Sequence, residues 1–410
     1  MAQLYCIGRG SCGTVWGEKQ QQNEEPFSEV AYKASFHERA LWRDFNLTNR
    51  VHNAFLRMQE LMEDFFPGIT VPRIPSATHF FKPSSPWWGA EHSPPMFLPP
   101  EIPADGGGQA VMRTQRILPL PSSTREILIN SYFDPQSQVA ALSNPENKDC
   151  LIRLYLGADA GYKFTGDGPW RTSLRNFELY FDMACALGRL AFPDMDLNIR
   201  LLAQEMAVGL AIIHWEAKCD GMAADWVLGS PSRSELLLEC AEEFETMQIA
   251  EVTPNSKKGG RSTYLWILDF DKARPIEYDK SCIPLLLGGV TANDPYLPNP
   301  KNSPKWLYEL FEVTYLQASE EILGRKLYKA TDRERADIME LPYFFMEAWE
   351  EWAQYSEDLG VNLERWSLVD GEVEVEEAEE IEGDDTGEDG DNEMEDGDER
   401  ASVRWETPFC

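Results

Sequence analysis

The 410-residue chain is poor in the residues that build zinc sites: it has five histidines and eight cysteines, and no two cysteines stand as a Cys-x-x-Cys pair. Without such pairs, or histidines at ligand spacing, a structural metal site is not expected. Bases are scarce as well, with 37 Lys and Arg against 70 Asp and Glu and a net charge of −33. A surface short of clustered Lys and Arg cannot neutralise a phosphate backbone, so no nucleic-acid partner is expected. The same balance argues against an anionic membrane surface. Long apolar runs are missing: the longest, Leu201 to Ile213, contains Gln204 and Glu205 and falls short of the roughly 18–20 residues a membrane span needs. Met1 to Gly8 show no basic stretch followed by an apolar one, so no secretory peptide is expected. Cys410 is the last residue rather than the fourth from the end, which gives no prenylation box. These absences predict a reduced, soluble, intracellular protein, cytoplasmic or nuclear.

Material for a core is ample, with 43% hydrophobic and 11% aromatic residues. Leu4 to Ile7, Thr14 to Trp16 and Val30 to Lys33 read as strands separated by a glycine cluster and a polar loop. Leu41, Phe45, Phe55, Met58 and Met62 recur at the period of an amphipathic helix between His37 and Phe66. Residues 82–108 are Pro-rich and read as a loop. Val111 to Leu118 reads as a strand leading to a hinge near Arg116–Leu120. Beyond it the pattern is mostly helical. Leu197 to Ile213 forms a helix with Asp196 as its expected N-cap, and Leu265 to Leu268 is a buried strand. A helix opens at Ser303-Pro304, with Trp306, Leu310 and Phe311 inward and Gly324 as its expected C-cap. A last aromatic helix follows Pro342. Between Asp370 and Arg400 stand 18 acids and one base, a composition that cannot bury enough apolar surface to fold. The predicted organisation is an N-lobe at 1–118, a helical C-lobe at 119–366 and an acidic disordered tail at 367–410. The tail is either a solubilising appendage or a docking element for a basic protein partner.

Gly8-Arg9-Gly10-Ser11-Cys12-Gly13-Thr14-Val15 has the spacing of a glycine-rich loop whose backbone approaches nucleotide phosphates, and it lacks the Gly-Lys-Ser/Thr ending of a P-loop. Val30-Ala31-Tyr32-Lys33 on the next strand supplies a lysine for the first phosphates. The following helix is where that lysine would find an acid, Asp44 in preference to Glu38. Asp269-Phe270-Asp271 ends a buried strand and places a carboxylate suited to Mg²⁺. Asp220 and Asp225 stand five apart before an apolar strand, the offset between a catalytic base and a metal-binding residue in kinase loops. These motifs resemble those of protein kinases and of small-molecule kinases for aminoglycosides and choline. The resemblance implies ATP with Mg²⁺ as cofactor. Gly8, Gly10, Gly13, Val15, Lys33 and Asp44 would bind the nucleotide, Asp220 would be the base, and Asp225 and Asp269 would hold metal.

The departures are large. His214 lies six residues before Asp220, no arginine intervenes, Asp225 replaces an asparagine, and 49 residues separate Asp220 from Asp269. His214-Trp215 reads equally well as a core turn. Met112 to Pro121, Leu210 to Gly229, Trp266 to Lys272 and Asn293 to Pro298 resemble the fungal domain of unknown function 3669 family over roughly residues 110–325. That resemblance implies a fungal source and brings no established activity with it. The expectation is therefore an α+β, two-lobed, kinase-like fold. Its function would be that of a degenerate kinase binding nucleotide and acting through partners. An active Mg-ATP-dependent small-molecule phosphotransferase and a scaffold without nucleotide stand as alternatives.

Overall fold

The structure, a computed structural model, describes residues 3–10, 13–19, 28–85, 109–160, 173–188, 197–232 and 263–355. The chain divides into Met1–Leu368 and Val369–Cys410; all described residues fall in the first unit. The tip of the glycine loop, most of the Pro-rich stretch and the acidic tail lie outside them.

Strand β1 (Gln3–Gly10) turns back on β2 (Gly13–Lys19), and β3 (Val30–Ser35) lies beside β2. Helix α1 (Glu38–Phe65) follows, then β4 (Ala77–Phe81) and β5 (Ala110–Gln115). The five strands make an antiparallel sheet in the order β1-β2-β3-β5-β4. Aromatic and β-branched residues such as Tyr5, Val15, Trp16, Val30 and Tyr32 suit this pleated surface. Helix α1 buries one stripe, Leu41, Asp44, Leu47, Thr48, Val51, Ala54, Phe55 and Met62, at the three-to-four spacing of an amphipathic helix. A carboxylate inside that apolar stripe is an anomaly that needs a partner.

Arg116, just after β5, is almost fully buried. Its guanidinium donates to Asp149 at 2.6 Å and to the Tyr5 hydroxyl of β1 at 3.0 Å. Leu118 and Ser230 exchange backbone hydrogen bonds just beyond. Helices α2 (Ser122–Tyr132) and α3 (Pro135–Ser143) lead through a 3₁₀ turn at Pro145–Asp149 to β6 (Ile152–Tyr155). Strand β7 (Phe177–Tyr180) runs into α4 (Phe181–Gly188). Helix α5 (Ile199–Ala211) ends in a π turn at Ile212–Glu216 and precedes β8 (Asp225–Gly229) and β9 (Tyr264–Leu268). Then come α6 (Cys282–Ala292), α7 (Lys305–Lys326), α8 (Asp332–Met339) and α9 (Leu341–Tyr355). The described residues thus form an α+β fold, with a five-stranded antiparallel sheet first and a mainly helical part after it.

The expected strands at Leu265–Leu268 and after Asp225 belong to a second sheet, β7-β6-β8-β9, in which β6 and β7 are parallel. Three expectations need correction. Helix α5 is capped by Asn198, whose side-chain oxygen accepts from the Arg200 and Leu201 amides; Asp196 lies outside the described residues. Helix α7 runs past Gly324 to Lys326 and is capped at Leu327, since Leu323 and Leu327 continue the buried face and outweigh one weak helix former. Trp306 faces out at 41% exposure under the Arg200 guanidinium. The inward face of α7 is instead Leu307, Tyr308, Phe311, Thr314 and Tyr315, with Leu310 only partly covered.

The core of the helical part is aromatic. Trp215, Trp226, Trp266 and Trp349 are essentially fully buried, and burying one such ring is worth several kcal/mol, about 3 by mutational loss. No helix among the described residues is long and apolar enough to cross a membrane.

Candidate functional site

Lys33 points from β3 to a pair of carboxylates. Its ammonium lies 2.6 Å from Asp44 Oδ2 on α1 and 2.6 Å from Asp269 Oδ1 just after β9. Asp44 therefore finds its partner: besides Lys33, its Oδ1 accepts from the Phe270 backbone amide at 2.9 Å and the Thr48 hydroxyl at 3.1 Å. Burial alone would lower the Lys33 ammonium, but Asp44 and then Asp269 outweigh it and hold it well above the ordinary lysine range. Two anions share that one cation. Burial, reinforced by Asp269, pushes the Asp44 carboxyl above its usual range despite Lys33 and the Phe270 amide. Asp269 adopts a left-handed backbone, φ 70°, a conformation that costs a non-glycine residue about 1 kcal/mol or more. It is also the most open of the three, with its side chain 32% exposed.

The glycine hairpin covers this cluster from the sheet side. Val15 pairs with Lys33 across β2 and β3, so the two side chains share one face. Gly13 is required by packing, because a Cβ there would sit 2.3 Å from the Ala34 carbonyl. Among the described residues, Gly8 and Gly10 face no such obstacle.

Asp225 opens β8 directly opposite Leu268, the residue before Asp269. Both its oxygens are taken: Oδ2 by Arg153 of β6 at 2.9 Å, Oδ1 by the Tyr296 hydroxyl at 2.5 Å. Burial raises its pKa, Arg153 opposes that, and Asp269 adds to it. Asp220 is engaged differently. Its side chain is fully buried. Oδ1 accepts from the Met222 and Arg274 amides at 3.1 and 2.8 Å, and Oδ2 from the Arg274 side chain at 2.8 Å. The loop around it contains three left-handed residues, Lys218, Gly221 and Ala223. Asn293 braces it by donating to the Gly221 carbonyl at 2.8 Å.

The structure thus brings Lys33, Asp44 and Asp269 into one cluster, with Asp225 beside it, and turns Asp220 toward Arg274. Mg²⁺ is commonly held by one or two carboxylates together with ligand phosphates. Asp269 fits that role by exposure. Asp225 is engaged on both oxygens, by Arg153 and Tyr296, so its charge is already offset within the chain. His214 is a core residue: fully buried, its Nδ1 lies 2.9 Å from the Tyr315 hydroxyl, and burial lowers its pKa to about 3. The imidazole stays neutral and takes no part in the cluster.

Arg153, Arg274 and Tyr296 escaped the sequence reading. Arg153 sits on a strand too short to stand out. Arg274 lies five residues after Asp269, with no motif around it. Tyr296 was within reach, because it closes the Asn293-Asp294-Pro295-Tyr296 run. That run now has a physical reason: Asn293 holds the Asp220 loop, Asp294 accepts from Asn299 at 2.8 Å, and Tyr296 holds Asp225.

The model of the domain of unknown function 3669 family, described as zinc finger protein, matches residues 265–327. That is only the last part of the region expected to resemble it. The matched stretch holds one cysteine, Cys282, and no histidine, too few N and S ligands for a zinc finger. No group of three or more metal-binding side chains occurs among the described residues. No curated protein matches the chain. One similar solved structure is a thermostable mutant of aminoglycoside phosphotransferase APH(4)-Ia in a ternary complex with AMP-PNP and hygromycin B. It shares 10% identity over 85% of this chain and 93% of that one, with a TM-score of 0.20. A superposition that loose transfers no residue roles, and the site rests on its own contacts.

Proposed function

We propose that this protein is a degenerate kinase: it binds a nucleotide between the glycine hairpin and the Lys33–Asp269 cluster, transfers no phosphoryl group, and works through partners. Lys33 would meet the phosphates, Gly8, Gly10 and Val15 would cover the nucleotide, and Asp269 would hold Mg²⁺, which supplies charge neutralisation when bound. Gly13 and Asp44 shape the site behind them. The observation that carries the loss of transfer is Asp220. A general base must come within hydrogen-bond reach of the proton it removes, and the Asp220 carboxylate is fully buried, paired with the Arg274 side chain and held by two backbone amides. Millimolar ADP or ATP with Mg²⁺ is expected to raise the Tm by mass action, with no ATP turnover above the level of a heat-killed control. Absence of any shift would leave the scaffold alternative standing.

One observation favours the active phosphotransferase. The lysine, its helix acid and the Asp269 carboxylate are assembled as catalysis would need them, at 2.6 Å on either side of Lys33. Turnover that scales with a small hydroxyl-bearing acceptor would establish that reading in place of the first.

The partner is proposed to be basic and to engage the acidic stretch from Asp370 to Arg400. Long-range attraction to so dense a charge speeds encounter and fades with salt. Truncation after Ser367 is expected to lose partners in low-salt pull-downs that raised salt also removes from the intact chain. Unchanged pull-downs would leave the segment a solubilising role only.

A further inference from the structure

The outer edge of α1 is basic in a chain that is otherwise acidic. Arg39, Arg43, Asn46, Arg50, Asn53 and Arg57 follow one another at intervals of four and three residues, so they form a single stripe along the helix. All four arginines are exposed. From Arg39 to Arg57 the only acid is Asp44, which lies on the buried side of the helix against Lys33. Lys272, also exposed, widens the stripe: Arg43 donates to the carbonyl of Asp271, the residue before it, at 3.4 Å.

These bases differ from the others on the surface in having no acid beside them. On α7 and α8 exposed bases find an acid one turn away, in the pairs Lys305–Glu309, Arg325–Glu321 and Arg333–Asp337, as solvated helix faces commonly do. On α1, Arg57 has its carboxylate in Glu216, at 2.7 Å. Among the described residues, Arg39, Arg50 and Lys272 make no hydrogen bond or ion pair, and Arg43 reaches only that carbonyl. With 70 acids to 37 bases in the chain, a row of bases without acids is the opposite of what chance pairing would leave.

We propose that this stripe docks an extended acidic peptide, a segment of a partner protein with Asp or Glu at alternate positions. Arg39 to Arg50 span about 16 Å of helix. An extended chain covers that length in about five residues and sends alternate side chains to one face roughly 7 Å apart. The rise from Arg39 to Arg43 is about 6 Å, so successive acids meet successive bases. A guanidinium matches a carboxylate with two parallel donors. A nucleic acid would carry its charge far beyond the stripe, over a chain of net charge −33 whose field repels it. A short peptide ends where the stripe ends. The surface needs no nucleotide, because none of these bases belongs to the Lys33 cluster.

Fluorescence anisotropy of the full chain with a labelled octapeptide of alternating Glu and Ala tests this, beside a Lys-Ala octapeptide as control. The acidic peptide alone is expected to bind at about 50 mM salt and to weaken by about 200 mM. Arg39→Gln, Arg50→Gln and Lys272→Gln combined remove cations that make no contact. The Tm should therefore stay in place while affinity falls about tenfold. Lys305→Gln, Lys329→Gln and Arg333→Gln combined change the net charge equally, on and beside α7 and α8, and should keep affinity within about twofold. No binding at low salt, or equal losses in the two triple variants, overturns the proposal. Tighter binding of a short single-stranded DNA, lost in the first variant, overturns it in favour of a nucleic acid. A salt-sensitive dimer in sedimentation that the first variant abolishes and the peptide does not disturb puts a second copy on the stripe instead.

Discussion

Lys33→Ala is expected to abolish stabilisation by nucleotide and to lower the protein's own stability by about 3–5 kcal/mol. Lys33 is the cation between two carboxylates at 2.6 Å each, and Asp44 is only 2% exposed. Removing one partner of a buried pair leaves the other's desolvation unrepaid, which is the source of that cost. The pH dependence follows with a definite sign. In the folded wild type Lys33 titrates well above the usual lysine range, against burial, because of Asp44 and Asp269. Its stabilising contribution is therefore complete below the unfolded lysine value and is lost as pH rises through the folded one. The variant loses that alkaline transition. It keeps Asp44, whose carboxyl already titrates high through burial and rises further without its counterion. A raised acid contributes stability below its unfolded value and loses it as pH climbs through the folded value. Lys33→Ala should thus be less unstable near pH 5 than near pH 8, as urea midpoints at the two values would show. Lys33→Met combined with Asp44→Asn, which keeps an acceptor for Phe270 and Thr48, should regain most of the stability and none of the nucleotide binding. A nucleotide-induced shift that persists in either variant would remove Lys33 from the site.

The parts of this cluster that were legible in sequence are the ones whose partners are local or patterned. Lys33 follows from a strand of alternating residues after a glycine hairpin, and Asp44 from its place in an apolar helical stripe. Asp269 follows from ending a short hydrophobic run. Each of these signals survives because backbone geometry, not distant packing, sets it. What sequence withheld is occupancy. Asp220 and Asp225 have the expected spacing, but the arginines that occupy their oxygens come from residues 153 and 274, one on a four-residue strand and one in a loop. Nothing periodic marks such a residue. The same reason hid the second sheet: Ile152–Tyr155 and Phe177–Tyr180 are too short for alternation to separate them from helix ends. The exposed Trp306 is the converse case, an aromatic whose place at the head of α7 suggested burial, while Leu307 and Tyr308 filled the core positions.

Asp220→Asn is the second change with a large expected effect, and its sign depends on which role Asp220 plays. An ionised carboxylate is acceptor-only on both oxygens, and here both are used: one by two backbone amides, the other by the Arg274 side chain. Asparagine offers one acceptor and one donor. Whichever way its amide is turned, an NH₂ group faces either the two backbone N–H groups or the arginine N–H, with no water within reach of a side chain that is 0% exposed. A buried donor set against donors costs about 1–3 kcal/mol, and loss of the charge-assisted pair adds to it. A fall in stability of about 3 kcal/mol is therefore expected, read as a shift in urea midpoint at unchanged m-value. Arg274→Ala should cost a similar amount, because it leaves the fully buried Asp220 charge with its two backbone amides and no cation. Where both variants remain folded, Mg-ADP affinity should match wild type, since Asp220 faces Arg274 and not the Lys33 cluster. ATP turnover should be equally absent in all three proteins. Measurable turnover in the wild type that disappears in folded Asp220→Asn would make this residue the base after all and the protein an active phosphotransferase. In that case Arg274 would have to swing away from Asp220 when substrate binds, and Arg274→Ala would raise turnover instead of leaving it at zero.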